Sequence, residues 1–169
     1  MKFNEWLKLQ EAIQIRFADG ESSGEEASGA AYVFDDAGLR WTRDKELLMV
    51  AIDSDGQEEE IDAGSVVGAV VYSWGRDPYD QENEDHFIFD FDVAVRKDYQ
   101  SKLMLRVGPR LIDAALSHYR SLAAEASSSE VKVYAVNPGI VKFLTSPRYG
   151  FQIDDELQDG KAMLSWRPR

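Results

Sequence analysis

The sequence contains no cysteine among its 169 residues. Disulfides, thiolate zinc sites and thiol nucleophiles are therefore excluded, and the composition suits a reducing compartment such as the cytoplasm. Histidine is scarce too, because only His86 and His118 are present, and neither has neighbours at metal-ligand spacing. Asp53, Asp55 and Gly56 match only part of a calcium-loop pattern. We therefore expect no metal site.

Positive charge and long apolar runs are also in short supply. The chain carries 19 Lys and Arg against 31 Asp and Glu, a net charge of −12. Because phosphate backbones are bound by basic surfaces, this balance argues against a nucleic-acid partner and favours a cationic one. No run approaches the roughly 18 apolar residues of a membrane helix, and the N-terminus lacks the apolar core of a secretory signal. We expect a cytoplasmic protein without a membrane partner.

The length of the chain favours a single domain over residues 1–169, and the order of its predicted elements indicates an α/β or α+β domain around a mixed sheet. Apolar residues at helical spacing predict a short helix over 3–11 and a long one over 109–123. Residues 18–30 are acidic and rich in Gly and Ser, which predicts a mobile loop. Runs of β-branched and aromatic residues predict strands at 12–19, 30–34, 46–52, 65–74, 85–95, 130–136, 149–153 and 161–166, with a short helix at 139–144. In the strand 85–95, alternation would place Phe87, Phe89, Phe91, Val93 and Val95 on one face.

The second half of the chain carries an ordered series of motifs. A long strand ends in "DVAV", and a basic loop "RKDYQSK" and the long helix follow. Then come the strand "VKVYAVN", a helix with Phe143, and the pair Gly150-Phe151. Over residues 66–155 this order resembles the acetyl-coenzyme A binding core of the GCN5-related N-acetyltransferases, the GNAT superfamily. The resemblance implies a GNAT-like mixed central β-sheet flanked by helices. It also implies acetyl-CoA as cofactor and acetyl transfer to a primary amine of a small molecule or peptide.

The resemblance further implies a set of cofactor-binding residues at the end of the strand and in the elements that follow. They are Val93, Val95, Arg96, Gln100, Ser101, Lys102, Leu103, Leu105, Arg106, Asn137 and Phe143. The family's loop has the form Q/R-x-x-G-x-G/A, and aligning Gln100 with its first position puts Leu103 and Leu105 where glycine is usual. Glycine serves there because the backbone must approach a diphosphate closely, so leucine hinders the approach.

The start of the long helix has two possible positions. The nearest glycine is Gly108, and Pro109 follows it. Proline suits the first turn of a helix and disrupts its interior. Either the helix begins at about Pro109 after an extended loop, or it begins at about Ser101 and kinks.

The same segment holds five basic residues within fifteen positions, namely Arg96, Lys97, Lys102, Arg106 and Arg110. One interpretation is that they attract the phosphates of coenzyme A and compensate for the missing glycines. Lys102 and Arg106 are then the expected phosphate contacts, and Arg110 is expected on the helix surface. The other interpretation is that the cluster pairs with nearby acidic surface, such as residues 80–85.

Direct acetyl transfer needs a base for the substrate ammonium and an acid for the leaving thiolate. In the family, a carboxylate or water chain on the strand before the loop is the base, and a tyrosine in the last short helix is the acid. Asp90 and Asp92 lie on that strand, outside the usual register unless a bulge shifts it. Phe143 occupies the tyrosine position, and Tyr149 is the candidate replacement.

The missing glycines and the missing helix tyrosine leave a second function open. A non-catalytic member of this fold would act as a binding module or as a phage virion-associated protein. The N-terminus resembles the targeting peptides of internal capsid proteins in some large tailed phages, which are cut after Leu/Ile-x-Glu, here Leu9-Gln10-Glu11. The alternative for this stretch is an amphipathic helix packed on the sheet.

Overall fold

The computed structural model describes residues 11–18, 23–40, 47–56, 62–77, 82, 85–102, 105–135 and 138–167. Residues 1–10 lie outside this part of the chain, and with them most of the predicted first helix and of the Leu9-Gln10-Glu11 motif. The strands are β1 (Ile13–Phe17), β2 (Leu47–Asp53), β3 (Ser65–Arg76), β4 (His86–Val95), β5 (Ser128–Ala135), β6 (Gln152–Glu156) and β7 (Ala162–Trp166). The helices are α1 (Ser23–Asp36), α2 (Lys97–Gln100), α3 (Val107–Ala123) and α4 (Pro138–Leu144), with a 3-10 turn at Gln158–Gly160.

The seven strands of the described chain form one mixed sheet in the order β1-β2-β3-β4-β5-β7-β6. β1 pairs antiparallel with β2, β4 pairs parallel with β5, and β7 pairs antiparallel with both β5 and β6. A parallel pair needs a long crossover, which α3 supplies between β4 and β5. The predicted mixed sheet flanked by helices is confirmed, as are the predicted strands except those at 30–34 and 149–153. The strand predicted at 149–153 begins only at Gln152 and continues to Glu156.

The predicted loop over 18–30 is wrong for residues 23–30, and the predicted strand over 30–34 is wrong, because residues 23–36 form α1. Residues 19–22 lie outside the described residues. Glu25 and Glu26 lie in its first turn, where acidic side chains complement the helix dipole. Gly29 looked like a loop residue, yet a Cβ there would come within 2.8 Å of Val66 Cγ2. Close packing of the helix on β3 therefore requires a glycine at this position, which composition alone does not reveal.

The chain divides into two compact units. The first comprises the described residues up to Val71 together with Val93–His118, and the second comprises Tyr72–Asp92 and the residues from Tyr119 onward. The assignment of a single domain stays a prediction. None of the helices in the described ranges is long and apolar enough to cross a membrane.

In the first unit, neighbouring residues of β3 contact a different helix on each face. Ala69 belongs to a buried cluster with Val33 and Phe34 of α1. Gly68 faces the other way, because a Cβ there would lie 2.7 Å from Val107 Cγ1 and 2.9 Å from Leu111 Cδ1 of α3. The missing side chain of Gly68 thus lets the first turns of α3 lie directly on the sheet.

The second unit has an aromatic core around Tyr119. The Tyr119 ring centroid lies 5.3 Å from that of Phe89, 5.9 Å from that of Trp74 and 5.8 Å from that of Trp166. Its hydroxyl shares a 2.8 Å hydrogen bond with Ser129 Oγ, and burial raises its pKa. Burying several large rings with their polar atoms paired stabilises this unit.

The five apolar residues expected on one face of β4 differ in burial. Phe89 and Phe91 are buried, while Phe87, Val93 and Val95 are partly exposed. The Phe89 ring centroid lies 5.3 Å from that of Tyr119 on α3, and a Cβ at Gly108 of the same helix would lie 3.5 Å from Val95 Cγ2. Ala94 instead belongs to the buried cluster that contains residues of α1. These contacts support the predicted alternation at Phe89, Ala94 and Val95.

Replacing Gly68 with alanine should lower the free energy of unfolding by about 1–3 kcal/mol, because the new methyl group overpacks the contact with Val107 and Leu111. Urea denaturation measures the change. Gly75→Ala is the matched control, since Gly75 lies on the same strand and a Cβ there meets nothing within 4 Å. Equal effects of the two substitutions would contradict the close packing of α3 at Gly68.

Candidate functional site

The basic segment begins where β4 ends. The Arg96 N–H donates to the Val67 carbonyl at 3.0 Å, which extends the pairing of β4 with β3 by one residue. The single helical turn α2 follows, and α3 begins at Val107. The long helix therefore starts close to Pro109, and the alternative of a start at Ser101 is wrong. The short helix α2 was not anticipated.

Tyr99 anchors this segment to the first unit. Its side chain is buried, and its hydroxyl donates a short hydrogen bond to the buried carboxylate oxygen Asp53 Oδ2. Burial and this hydrogen bond raise the pKa of Tyr99. The other oxygen, Asp53 Oδ1, accepts from the N–H groups of Asp55 and Gly56 at 3.0 Å each. The acidic stretch that partly matched a calcium loop thus serves here as a turn that holds Tyr99.

Two more hydrogen bonds hold the start of the segment. The Lys97 N–H donates to Asp36 Oδ2 at 2.8 Å, which ties α2 to the last turn of α1. The side-chain amide of Gln100 donates from Nε2 to the Val95 carbonyl at 2.7 Å. The resemblance placed Gln100 first in the loop motif. Its Nε2 group is a donor in this hydrogen bond, which stabilises the turn between β4 and α2.

The loop is longer than the motif with which the sequence was aligned. Leu105 is 3% exposed and is a core residue, and Leu103 lies outside the described residues. Arg106 has a φ of 51°, in the left-handed region that glycine favours, and Gly108 lies in the first turn of α3. Arg106 and Gly108 therefore have the left-handed φ and the glycine that the G-x-G part of the motif calls for, whereas the buried Leu105 is packed in the core. The alignment of the glycine positions with Leu103 and Leu105 stays a prediction.

The five basic residues separate into two groups. Arg96 and Arg110 turn toward the protein: the Arg96 guanidinium lies 5.1 Å from the Tyr32 ring centroid, and Arg110 Nη2 donates to the Ile13 carbonyl at 2.7 Å. Burial lowers the pKa of Arg110, which is half-buried on α3. Its placement on the helix surface stays a prediction. The other three lie on the outer side of the segment. Lys97 and Arg106 are exposed, and Lys102 is half-buried with its Nζ 5.3 Å from the Tyr99 ring centroid.

The start of α3 can bind an anion. The N–H groups of the first helical turn have no partner within the helix, and they carry the positive end of its dipole. Pro109 supplies no N–H, which leaves those of Val107 and Gly108 as the first-turn donors of this 17-residue helix. Lys102 and Arg106 add positive charge next to them, and Ser101 is an exposed hydroxyl in the same loop.

The predicted catalytic residues belong to the second unit. Asp90 and Asp92 are half-buried on β4, and Asp90 lies opposite Lys132 in the parallel ladder with β5, which ends at that pair. Tyr149 is 7% exposed, and its ring centroid lies 4.8 Å from that of Phe143. Asn137 lies outside the described residues.

One cluster of ionisable groups was missed by sequence reasoning. Candidate ligand atoms of Asp77, His86 and Glu130 lie within 4.8 Å of one another. Glu130 is already bound by His86 Nε2 at 3.3 Å, and further contacts come from Lys132 Nζ at 3.2 Å and Arg167 Nε at 2.9 Å. A metal ion would have to displace two cations, so the arrangement suits an ion-pair network better than a metal site.

Glu130 stays ionised in this network although it is buried. Burial alone would raise the pKa of its carboxyl, but hydrogen bonds from Arg167, His86 and Lys132 outweigh burial and lower the pKa. Lys132 lies two residues after Glu130 on β5, whereas His86 and Arg167 are distant in sequence. The pairing of β4 with β5, which sets His86 opposite Ser128, brings in His86, and the pairing of β5 with β7, which sets Val131 opposite Trp166, brings in Arg167.

No protein-family model matches this sequence, and no curated protein matches it. Solved structures do match. A GCN5-related N-acetyltransferase from Kribbella flavida is 14% identical, with a TM-score of 0.59 over 94% of this chain and 99% of that one. Arabidopsis thaliana NAA60 in complex with acetyl-CoA is 12% identical, with a TM-score of 0.62 over 92% and 98%. Arabidopsis thaliana Naa50 with the bisubstrate analogue CoA-Ac-MVNAL is 11% identical, with a TM-score of 0.59 over 92% and 98%.

These similarities extend over nearly the whole of each chain. Because the sequence identities are low, what they establish is the fold alone. The chain has the fold of the GCN5-related N-acetyltransferases. The resemblance noted in the sequence is therefore confirmed at the level of the fold.

Replacing Tyr99 with phenylalanine should lower the free energy of unfolding by about 1–3 kcal/mol, because the buried carboxylate of Asp53 loses a donor. Urea denaturation at neutral pH measures the change. Tyr134→Phe is the control, since Tyr134 is 45% exposed. If both variants unfold at the same urea concentration as the wild type, the anchoring role of Tyr99 is wrong.

Replacing Glu130 with glutamine should make the free energy of unfolding less dependent on pH in the acidic range. The folded pKa of Glu130 is lowered from its ordinary 4.5, so its contribution is present above that value and is lost as the pH falls through the folded pKa. Between about pH 5 and pH 3 the wild type should therefore lose more free energy of unfolding than Glu130→Gln. Urea titrations at several pH values test this, with the exposed Glu156→Gln as control. Parallel curves for wild type and Glu130→Gln would rule out the shift.

Proposed function

We propose that the protein is an acyl-coenzyme A dependent N-acetyltransferase that acetylates a primary amine by direct attack. The observation that carries the proposal is the start of α3: a left-handed residue, Arg106, leads into a helix whose first turn contains Gly108, at the end of the basic segment that follows β4. Solved structures with the same fold were determined with acetyl-CoA or a CoA-containing analogue. Their cofactors are the chemical precedent for the anion that this helix start would bind.

The donor set fits a diphosphate. The N–H groups of Val107 and Gly108 would meet its oxygens, and Lys102 and Arg106 would supply charge-assisted contacts. Val93, Val95, Gln100, Ser101, Asn137 and Phe143 complete the proposed cofactor-binding set. Arg96 is left out of it because its side chain lies against Tyr32.

Acetyl-CoA, when bound, supplies the acetyl group as a thioester. A carboxylate oxygen of Asp90 or Asp92 accepts the proton that the substrate ammonium must lose before its nitrogen can attack. The Tyr149 hydroxyl donates a proton to the thiolate that leaves. The contact between Tyr149 and Phe143 supports this role, because it puts a tyrosine beside the residue that occupies the family's tyrosine position.

The acceptor is proposed to be a cationic amine on a small molecule or peptide. The net charge of −12 attracts a cation and disfavours nucleic acid. Naa50 was solved with an analogue that joins CoA to the peptide MVNAL, so an acceptor peptide is compatible with the fold. Absence of cysteine fits action in the cytoplasm.

The alternative is a non-catalytic protein of the same fold, acting as a binding or phage virion-associated module. The observation that favours it is Arg106, a bulky residue at a position whose φ of 51° suits glycine. If the arginine side chain blocks the approach of a diphosphate, the cofactor would not bind. The two functions therefore differ in one measurable property, the affinity for coenzyme A.

Coenzyme A should bind to the wild type, and Lys102→Ala and Arg106→Ala should each weaken binding about tenfold, more so at low salt. Isothermal titration at two salt concentrations measures the affinity, with the exposed Lys142→Ala as control. Arg106→Gly separates charge from backbone, since glycine adopts the left-handed conformation without strain. No heat of binding at millimolar coenzyme A would overturn the cofactor assignment.

Turnover is followed through the free thiol of released coenzyme A, and a protein without cysteine adds no background to a thiol reagent. Peptides with free N-termini and polyamines serve as acceptors. Asp90→Asn or Asp92→Asn should abolish turnover and leave coenzyme A affinity unchanged, because the base acts on the acceptor. Tight coenzyme A binding with no turnover on any amine would support the non-catalytic alternative.

A further inference from the structure

β6 is the outermost strand of the second unit. It pairs antiparallel with β7 along one edge, and no other strand of the described chain pairs with its opposite edge. All five residues of the strand, Gln152–Glu156, are exposed. An edge strand of this kind presents backbone N–H and C=O groups to which one more strand can bond.

The side chains of β6 make this edge strongly acidic. Three of its five residues are Asp154, Asp155 and Glu156, and none is basic. Asp155 lies opposite Met163 of β7, and Glu156 lies opposite Ala162. Because adjacent residues of a strand point to opposite faces, these two carboxylates lie on opposite faces of the sheet. A strand added to this edge would therefore meet negative charge on both of its faces.

The acidic residues restrict which strand can pair with β6. A second copy of β6 would place carboxylates next to carboxylates, and like charges across a strand pair destabilise it. The register with β7 also shifts between Ile153 and Asp155, and such an irregularity disfavours pairing with an arbitrary neutral strand. A strand that carries Lys or Arg instead gains an ion pair for each carboxylate that it meets. The net charge of −12 attracts the same kind of partner from a distance.

Ile153 adds an apolar contact to the edge. Its side chain is 44% exposed, although it lies opposite the fully buried Leu164 of β7. Ile153 therefore lies at the margin of the core of the second unit, where an apolar side chain of an added strand would cover it.

We propose that the outer edge of β6 binds an extended, Arg- or Lys-rich segment of a partner protein by strand addition. Backbone hydrogen bonds supply the pairing, the carboxylates of Asp155 and Glu156 select basic side chains, and Ile153 contacts an apolar residue of the segment. The proposal goes beyond acetyl transfer and does not rest on it, since no residue of β6 belongs to the proposed catalytic or cofactor-binding sets.

Fluorescence anisotropy of the full chain with the peptide RVRVRVR tests the proposal. The peptide carries fluorescein at its N-terminus and an amide at its C-terminus, so it has no primary amine and cannot be an acceptor in the proposed reaction. It should bind, whereas EVEVEVE should not. The analogue of RVRVRVR with every backbone nitrogen methylated keeps the charges but has no backbone donor, and it should bind at least tenfold more weakly. If RVRVRVR does not bind, or if the methylated analogue binds equally well, the proposal is wrong.

A pair of double variants connects the binding to β6. Asp155→Asn with Glu156→Gln should weaken peptide binding about tenfold, because two ion pairs are lost. Asp35→Asn with Glu125→Gln removes the same charge from exposed positions elsewhere and should leave the affinity nearly unchanged. Circular dichroism confirms that both variants are folded.

Hydrogen exchange followed by mass spectrometry locates the bound peptide. With RVRVRVR present, the backbone amides of residues 152–156 should exchange more slowly, because those on the outer edge acquire acceptors. Equal weakening in both double variants, or unchanged exchange in β6, would overturn the proposal. The peptide would then be held only by general attraction to an acidic protein, and the carboxylates of β6 would serve to keep other strands off the edge.

Discussion

The buried hydrogen bond between Tyr99 and Asp53 determines where the basic segment of this acidic protein runs. A helix of four residues such as α2 has no stability of its own, so tertiary contacts must hold it. Tyr99 supplies the contact by placing its ring in the core and its hydroxyl on a carboxylate at the end of β2. With the middle of α2 fixed, the Lys97 N–H bonds to the carboxylate of Asp36, and the Gln100 side chain bonds to the Val95 carbonyl. The path to the start of α3 follows from that anchor.

The position of α3 depends on a second constraint, the absence of a side chain at Gly68. Because Val107 and Leu111 fill the space that a Cβ would occupy, the first turn of the helix lies against β3. The chain must then turn sharply from Leu105, which is buried, into the helix, and Arg106 takes a left-handed φ to make the turn. A left-handed conformation costs a non-glycine residue on the order of 1 kcal/mol. Arg106 therefore places a cation beside the helix N-terminus at the cost of some backbone strain.

Most of the strands could be predicted from the sequence because a two-residue alternation bounded by turn residues is a local signal. What could not be predicted depends on residues far apart in the chain. Gly29 belongs to a helix that packs closely on Val66, and Tyr99 is a buried anchor because Asp53, 46 positions earlier, accepts a hydrogen bond from its hydroxyl. The burial of Leu105 could not be predicted for a related reason, since it depends on tertiary packing and not on the local sequence. The charges of the five basic residues suggested that the segment binds an anion. They did not indicate which of the five side chains turn inward.

The inward turn of Arg96 reduces the positive charge that the basic segment can offer to an anion. A basic segment next to a proposed phosphate site would gain most if every cation faced the ligand, yet Arg96 lies on Tyr32 with its Nε–H buried. Arg110 makes a comparable turn, but it is compensated by the Ile13 carbonyl. The Arg96 Nε–H has no acceptor among the described residues, although Nη2 of the same side chain lies 3.7 Å from Asp98 Oδ2. Since buried polar groups in folded proteins are nearly always paired, this donor is a local cost of turning the side chain inward.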